Sequence, residues 1–342
     1  MTQKQIKGLN LDELITLCEE NNFSSFRAKQ LYHWMYRHGT LDTSQINNLP
    51  DEMIKFIEKN YVLKTLEIER VQDSNIENTK KILFRTSDGN FIESVSMIDK
   101  NLHTVCISSQ VGCSVDCKFC ATGMMGFNRN LSCGEIIDQI IEITKLRDEP
   151  ITNVVYMGMG EPFLNYKNVI QASNIMNDKN AFNIGARRIT ISTAGILPKI
   201  NQFINEKIKY NLAISLNASN DSTRDKLMPI NKKWPIKDLI NAARDYNQSH
   251  RMKITFEYVL IDSINDSIED ANRLGVLLKN TDCKLNIIPF NEIGSEYKRP
   301  SNNTIENFVK ALHQRQQGFR ILVRWSKGTD INAGCGQLAT NE

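Results

Sequence analysis

The chain has 342 residues, more than one hydrophobic core usually serves, so a large domain with a smaller companion is the expected organisation. Hydrophobic residues at 41% and charged residues at 24% exclude a disordered or fibrous chain, and a net charge of +3 permits a polyanionic partner without requiring one. No apolar run reaches the ~20 residues of a membrane span, and the opening MTQKQIKGLN has no signal-peptide core, so a cytoplasmic protein without membrane contact is expected.

In chain order, three helices come first. They are LDELITLCEE; SSFRAKQLYHWMYRHG, with Ser24 or Ser25 as N-cap and Gly39 as stop; and LPDEMIKFIEKNY, opening at Pro50. KKILFRTSDGNFIESVSMI then sets two β-rich runs around Asp88-Gly89, a linking hairpin that ends an N-terminal helical accessory domain of residues 1–98. Over residues 99–342 six apolar, β-branched runs alternate with amphipathic stretches: TVCISS, ITNVVYMGMG, RRITISTAG, YNLAISLNAS, KITFEYVLID and KLNIIPFN. This alternation predicts an α/β fold with a parallel sheet under helices, either an incomplete barrel or a doubly wound sheet. Polar groups at the C-terminal ends of all six runs favour a partial (β/α)6 barrel, whose sites gather at that face. They are the cysteine cluster, Gly160 with Glu161, Ser192 with Thr193, Ser215 with Asn217, Asp262, and Asn291.

Eight cysteines in a reducing compartment point to metal binding or catalysis rather than to a disulfide framework. Cys113, Cys117 and Cys120 follow C-x3-C-x2-C in CSVDCKFC, in a loop just after a strand. A zinc site or a four-iron electron carrier wants four protein ligands. Cys106 or Cys133 could supply a zinc with its fourth; a polynuclear iron centre would instead leave one iron open.

With Phe119 before its last cysteine, the spacing resembles the radical S-adenosylmethionine (SAM) superfamily, in which SAM itself chelates the open iron of a [4Fe-4S] cluster. Beyond it, CISSQVGCSVDCKFCATG, GFNRNLS, VVYMGMGEPFLN, RRITISTAG, LMPINKK and AGCGQLA are together similar to the RlmN and Cfr family of RNA adenine methyltransferases, the likeness running from FRAKQLYHWMY to the last residues. The resemblance implies one [4Fe-4S] cluster on Cys113, Cys117 and Cys120. It implies two SAM per turnover, one a methyl donor and one a radical source. Gly160, Glu161, Ser192, Ser215, Leu216 and Asn291 match SAM contacts, as does Asn217, where the family usually has His.

Cys335 in INAGCGQLA resembles the cysteine that receives a methyl group, Cys106 the one that later resolves a covalent protein–RNA adduct by forming a disulfide with it, and Glu93 the proton acceptor. Carbon 2 of adenine lies between two ring nitrogens and is too electron-poor to attack SAM, so the implied route is a methylene radical borne by Cys335. The implied substrates are an adenosine of 23S rRNA near the peptidyl-transferase centre and the adenosine 3′ of the tRNA anticodon. An electron donor such as flavodoxin and a monomeric protein are expected. Val111 and Pro162 stand where the carbon 8 branch tends to have Cys and Ala, which favours carbon 2. Candidate phosphate contacts are Lys80-Lys81, Arg129, Arg187-Arg188, Lys232-Lys233, Lys298-Arg299, Arg27, Lys29 and Arg37. A non-catalytic iron–sulfur RNA-binding protein, with Cys106 and Cys335 incidental, is the competing class.

Overall fold

A computed structural model describes residues 3–315 and 318–340. Helices α1 (Leu11–Glu20), α2 (Ser25–Tyr36) and α3 (Asp51–Asn60) form where the sequence places them. In α1 the Asn10 side chain accepts from the Glu13 N–H while the Glu13 carboxylate accepts from the Asn10 N–H, a reciprocal cap. Ala28, Leu31, Tyr32, Met35 and Tyr36 repeat at helical spacing and bury one face of α2. Tyr32 and Tyr36 therefore belong to the core, their rings 4.8 Å apart edge to face.

One ten-stranded sheet carries the rest of the chain. Its strands are β1 (Leu66–Asp73), β2 (Thr79–Thr86), β3 (Phe91–Asp99), β4 (Leu102–Cys106), β5 (Asn153–Tyr156), β6 (Ile189–Thr193), β7 (Asn211–Ser215), β8 (Ile254–Leu260), β9 (Cys283–Pro289) and β10 (Arg320–Val323). Neighbours in sequence are neighbours in space throughout. β1 to β4 pair antiparallel, β4 to β10 parallel.

The six expected barrel strands are β4 to β9, and the hairpin around Asp88-Gly89 joins β2 to β3. Two strands of this sheet escape the sequence reading. β1 carries Glu67, Glu69, Arg70 and Asp73 on an edge, and β10 is a four-residue edge; short, charged edges blunt the apolar pattern that reveals a strand. The sheet also crosses residue 98 without a break, since Asp99 of β3 pairs with Leu102 of β4.

A buried ion pair fastens the N-terminal segment to the barrel. Lys7 Nζ lies 2.7 Å from Asp138 Oδ1, with both side chains fully buried, and Asp138 Oδ2 accepts from the N–H and hydroxyl of Thr65. Burial pushes the Lys7 ammonium down against the pull of Asp138. Removing the cation alone strands a carboxylate in the core. Lys7→Met is expected to lower stability by about 3–5 kcal/mol, read as a drop in the urea midpoint. An unchanged midpoint would contradict that account.

Candidate active site

The cysteine loop leaves a short two-stranded ribbon, Gln110–Gly112 against Phe127–Asn130. Gly112 has φ +72°, and a Cβ there would meet the Gly126 carbonyl oxygen at 2.0 Å, so only glycine closes this ribbon. Phe119 seats the loop. Its ring is buried with Val115, Ala194, Leu227, Met228 and Phe290, and the three cysteines pack against that cluster.

Cys113, Cys117 and Cys120 line a cavity of about 150 Å³ at the C-terminal rim of the parallel strands. Gly160, Glu161, Ser192, Ser215 and Asn217 line the same cavity. Gly160 has φ +96°, and a Cβ would lie 2.5 Å from that of Gln110, whose side-chain oxygen accepts from the Glu161 N–H at 2.8 Å. Glu161 is buried. Its two oxygens accept from the N–H groups of Phe163 (2.9 Å) and Ala194 (2.7 Å), and burial outweighs these bonds to push the carboxyl up to about 7. Asn217 has φ +57°, in the left-handed region where Asn and His are both enriched, which explains how one can stand for the other.

Three expected residues fall outside this lining. Leu216 has its side chain fully buried in the main core, and its carbonyl accepts from Arg224 Nε. Asn291 instead donates through Nδ2 to the Cys335 carbonyl at 3.0 Å, holding the C-terminal loop. Asp262 points into solvent, its N–H on the Lys298 carbonyl. Neighbours on a parallel strand end face opposite ways, so not every polar terminus can reach one cavity.

Cys106 lies in a second cavity of about 70 Å³ together with Arg324, Trp325 and Leu338. Cys335 lines both cavities, as do Met157 and Ile288. Every cysteine is a free thiol. Burial, with Cys335 as the next cause, pushes the Cys106 thiol up to about 12, while Arg324 pulls it down. The Cys335 loop is stitched over the barrel mouth: Ala121 N–H donates to the Gly336 carbonyl, the Thr122 hydroxyl to the Leu338 carbonyl, and Ala339 N–H to Glu93 Oε2.

Glu93 sits beyond that loop, in a separate cleft with Arg70, Lys81 and Gln337. Lys81 Nζ approaches its carboxylate to 3.2 Å. Burial raises the Glu93 carboxyl, with Lys81 opposing.

Comparison with known proteins decides what this arrangement belongs to. Residues 107–274 match the radical SAM superfamily, and residues 4–60 match a ribosomal RNA large subunit methyltransferase N-terminal domain. The chain is 44% identical over 336 residues to a probable dual-specificity RNA methyltransferase RlmN of Clostridium botulinum, covering 98% of this chain and 96% of that one. It is 40% identical over 339 residues to the dual-specificity RNA methyltransferase RlmN of Geotalea uraniireducens, covering 99% and 97%. A radical SAM methyltransferase from Sphaerobacter thermophilus superposes with TM-score 0.94 at 40% identity, covering 99% of this chain and all of that one.

The chain belongs to the RlmN family.

Membership makes it a radical SAM RNA methyltransferase with a [4Fe-4S] cluster and SAM as cofactors. The cysteine loop fits such a cluster. Among the described residues no three His, Cys, Asp or Glu side chains are placed to hold a single metal ion, as a zinc site at ~2.0–2.3 Å would need. The spare ligands proposed for zinc are also elsewhere: Cys106 lies in the second cavity, and Cys133 is buried against Gly8. Burial pushes the thiols of Cys113 (to about 12), Cys117 and Cys120 up, so a cationic centre must supply the charge that makes them thiolates.

Three charged residues beside these cavities were missed in the sequence. Arg224 is fully buried, yet it donates to the carbonyls of Ala194, Ser215 and Leu216 and to Asn231, tying the ends of β6 and β7 together. In a stretch rich in Lys and Asp it reads as a solvated charge. Glu257 lies mid-strand in ITFEYVL, a signal that could have been caught: a buried carboxylate facing the SAM-side cavity, its Oε2 without a hydrogen-bond partner among the described residues. Arg324 follows the overlooked β10 and lies 3.6 Å from Glu257.

Several candidate phosphate contacts are already engaged. Arg129 pairs with Asp88 (2.6 Å) and Glu135 (2.8 Å), locking the ribbon to the hairpin, while Lys80 pairs with Asp73 and Lys81 with Glu93. Arg27 donates to Gln30 and Arg37 to the Ala181 carbonyl.

Proposed function

We propose that this chain methylates carbon 2 of an adenosine in 23S rRNA, and of the adenosine 3′ of the tRNA anticodon, through a methylated Cys335 and a covalent protein–RNA thioether. One observation supports this above the rest: Cys335 forms a shared wall between the cavity of the cluster cysteines and the cavity of Cys106. A carrier has to face its methyl source and its resolving thiol in turn.

When bound, SAM and the cluster supply a methyl group and a hydrogen-abstracting radical, two SAM being used per turnover. The protein's residues do the rest. Cys113, Cys117 and Cys120 would hold the cluster, and Gly160, Glu161, Ser192, Ser215 and Asn217, which line the same cavity, would bind SAM. The Cys335 sulfur gives up its proton and takes the methyl; after that methyl loses one hydrogen atom its carbon bonds to carbon 2 of the base, and the adduct sheds one electron, for which the cluster would be the acceptor. Glu93 accepts the carbon 2 proton, and the Cys106 thiolate attacks the Cys335 sulfur. The carbon–sulfur bond breaks with its electron pair on carbon, a proton completes the methyl group, the methylated base leaves, and a Cys106–Cys335 disulfide remains for a two-electron donor to reduce. The donor is of the flavodoxin or thiol type, and the enzyme works as a monomer.

The test follows the carbon. With deuterium at carbon 8 of the target adenosine, the methylated product is expected to keep the label. Loss of label, with a product matching synthetic 8-methyladenosine, would move the chain to the Cfr-like activity.

Glu93 provides a pH signature. A base works only when deprotonated, and a raised carboxyl is protonated sooner as pH falls. Adduct release is therefore expected to decline at pH values above ~4.3, where an ordinary glutamate titrates. Glu93→Gln should slow release by about 10²–10⁴-fold and remove that limb from the pH profile. A profile unaltered in Glu93→Gln would remove Glu93 from the mechanism.

A further inference from the structure

Trp325 follows β10 and is 53% exposed, although it helps line the cavity that holds Cys106 and Cys335. Large aromatics left open at the mouth of a reaction cavity mark contact surfaces, because their burial by a partner is what recovers the hydrophobic free energy. Other open aromatics lie elsewhere: Phe26 is on α2, and Phe127 lines a cleft on the cysteine ribbon that touches neither catalytic cysteine. Only Trp325, among the described residues, combines wide exposure with the Cys106 cavity.

The Arg299 guanidinium lies 5.4 Å from the Trp325 ring centroid. Arg299 is exposed and has no ion-pair partner among the described residues, so its charge is available on the ring. Nearby cations are committed: Lys327 faces Glu77 and Asp99, and Arg324 faces Glu257. A cation stacked on an indole leaves an open π-surface beside a positive charge. An unpaired nucleobase with its phosphate matches that chemistry, whereas an apolar protein surface would have to desolvate the guanidinium.

We propose that the Trp325 ring, backed by Arg299, is a stacking platform for an unpaired RNA nucleobase flanking the target adenosine as that adenosine enters beside Cys106 and Cys335. This rests on the RNA-methylation reading. The platform fixes the strand at one side of the mouth, so the neighbouring nucleotide is presented to the cysteines without a sequence-specific hydrogen bond. Arg299 also turns a candidate phosphate contact of the sequence into a supporting cation for stacking.

The experiment uses cluster-loaded protein and two fluorescein-labelled probes, an oligoriboadenylate hexamer and an abasic hexamer with the same backbone, followed by anisotropy. Wild type is expected to prefer the base-bearing hexamer. Trp325→Ala should weaken that binding by about tenfold and leave the abasic hexamer unchanged; Trp325→Phe, which keeps a ring face, should recover most of the loss. Equal weakening for both probes would make the site a phosphate contact, and unaltered binding in Trp325→Ala would remove the platform; either overturns the proposal. Failure of wild type to bind either hexamer, or 23S rRNA, would strike the RNA-methylation reading itself. A shift of Trp325→Ala in sedimentation, with RNA binding intact, would reassign the patch to contact between copies of the chain.

Discussion

Cys106→Ala is expected to purify with RNA attached to it. On the proposed mechanism the thioether forms through Cys335, which that variant retains, but the thiol that would break it is gone. Among the described residues Cys106 is the cysteine that shares the second cavity with Cys335; Cys113, Cys117 and Cys120 belong to the cysteine loop, and Cys18, Cys133 and Cys283 are buried and line neither cavity. No other sulfur can take over. Ribonuclease treatment followed by denaturing electrophoresis should show a protein band shifted by nucleotides, and peptide mass spectrometry should place the addition on Cys335. Cys106→Ala/Cys335→Ala should lose the adduct, because no methyl can be carried. Normal release of methylated RNA by Cys106→Ala would show that the adduct resolves without it.

Cys117→Ala is expected to lose iron and SAM cleavage together. On the proposed assignment three cysteines would ligate three irons, so two could not keep a cluster with one open position. The substitution also removes the thiol whose charge opposes the burial that pulls the Arg224 guanidinium down to about 10. The variant should fold, because the loop is seated by Phe119 and by the N–H of Lys118 on the Leu227 carbonyl rather than by the sulfur. The anaerobically reconstituted variant should therefore lack the visible absorbance of the cluster and release no 5′-deoxyadenosine on reduction, while its thermal transition stays close to that of the unreconstituted wild type. Retained cluster absorbance would mean that another residue ligates the third iron.

The Cys117 prediction draws on a part of the chain that is local in sequence. The cysteine spacing, the glycines at 112 and 160, and the helix caps are decided within a few residues, because a chain reversal, a left-handed φ or a cap depends on neighbours along the backbone. Six barrel strands were legible for the same reason: each is a continuous apolar run, as strands covered on both faces must be. Conversion of those motifs into a family came from their order along the chain.

What lies across the sheet was decided only by tertiary structure. Which polar strand ends reach the cavity depends on register and on the direction a side chain leaves its strand, so Ser192 and Ser215 face inward while Asp262 faces solvent and Asn291 turns to the Cys335 loop. The charges of Arg224 and Lys7 carry no sequence mark of burial: they lie in the interior because partners from distant segments meet them there, whereas Lys81 is consumed by a carboxylate on the neighbouring strand and Arg129 by carboxylates of the hairpin turn and of a helix. The meeting of Cys106 with Cys335, 229 residues on along the chain, is of the same kind. β10 and the loop after it close the open side of the barrel, and that closure is a property of the folded sheet that a local reading of four residues could not contain.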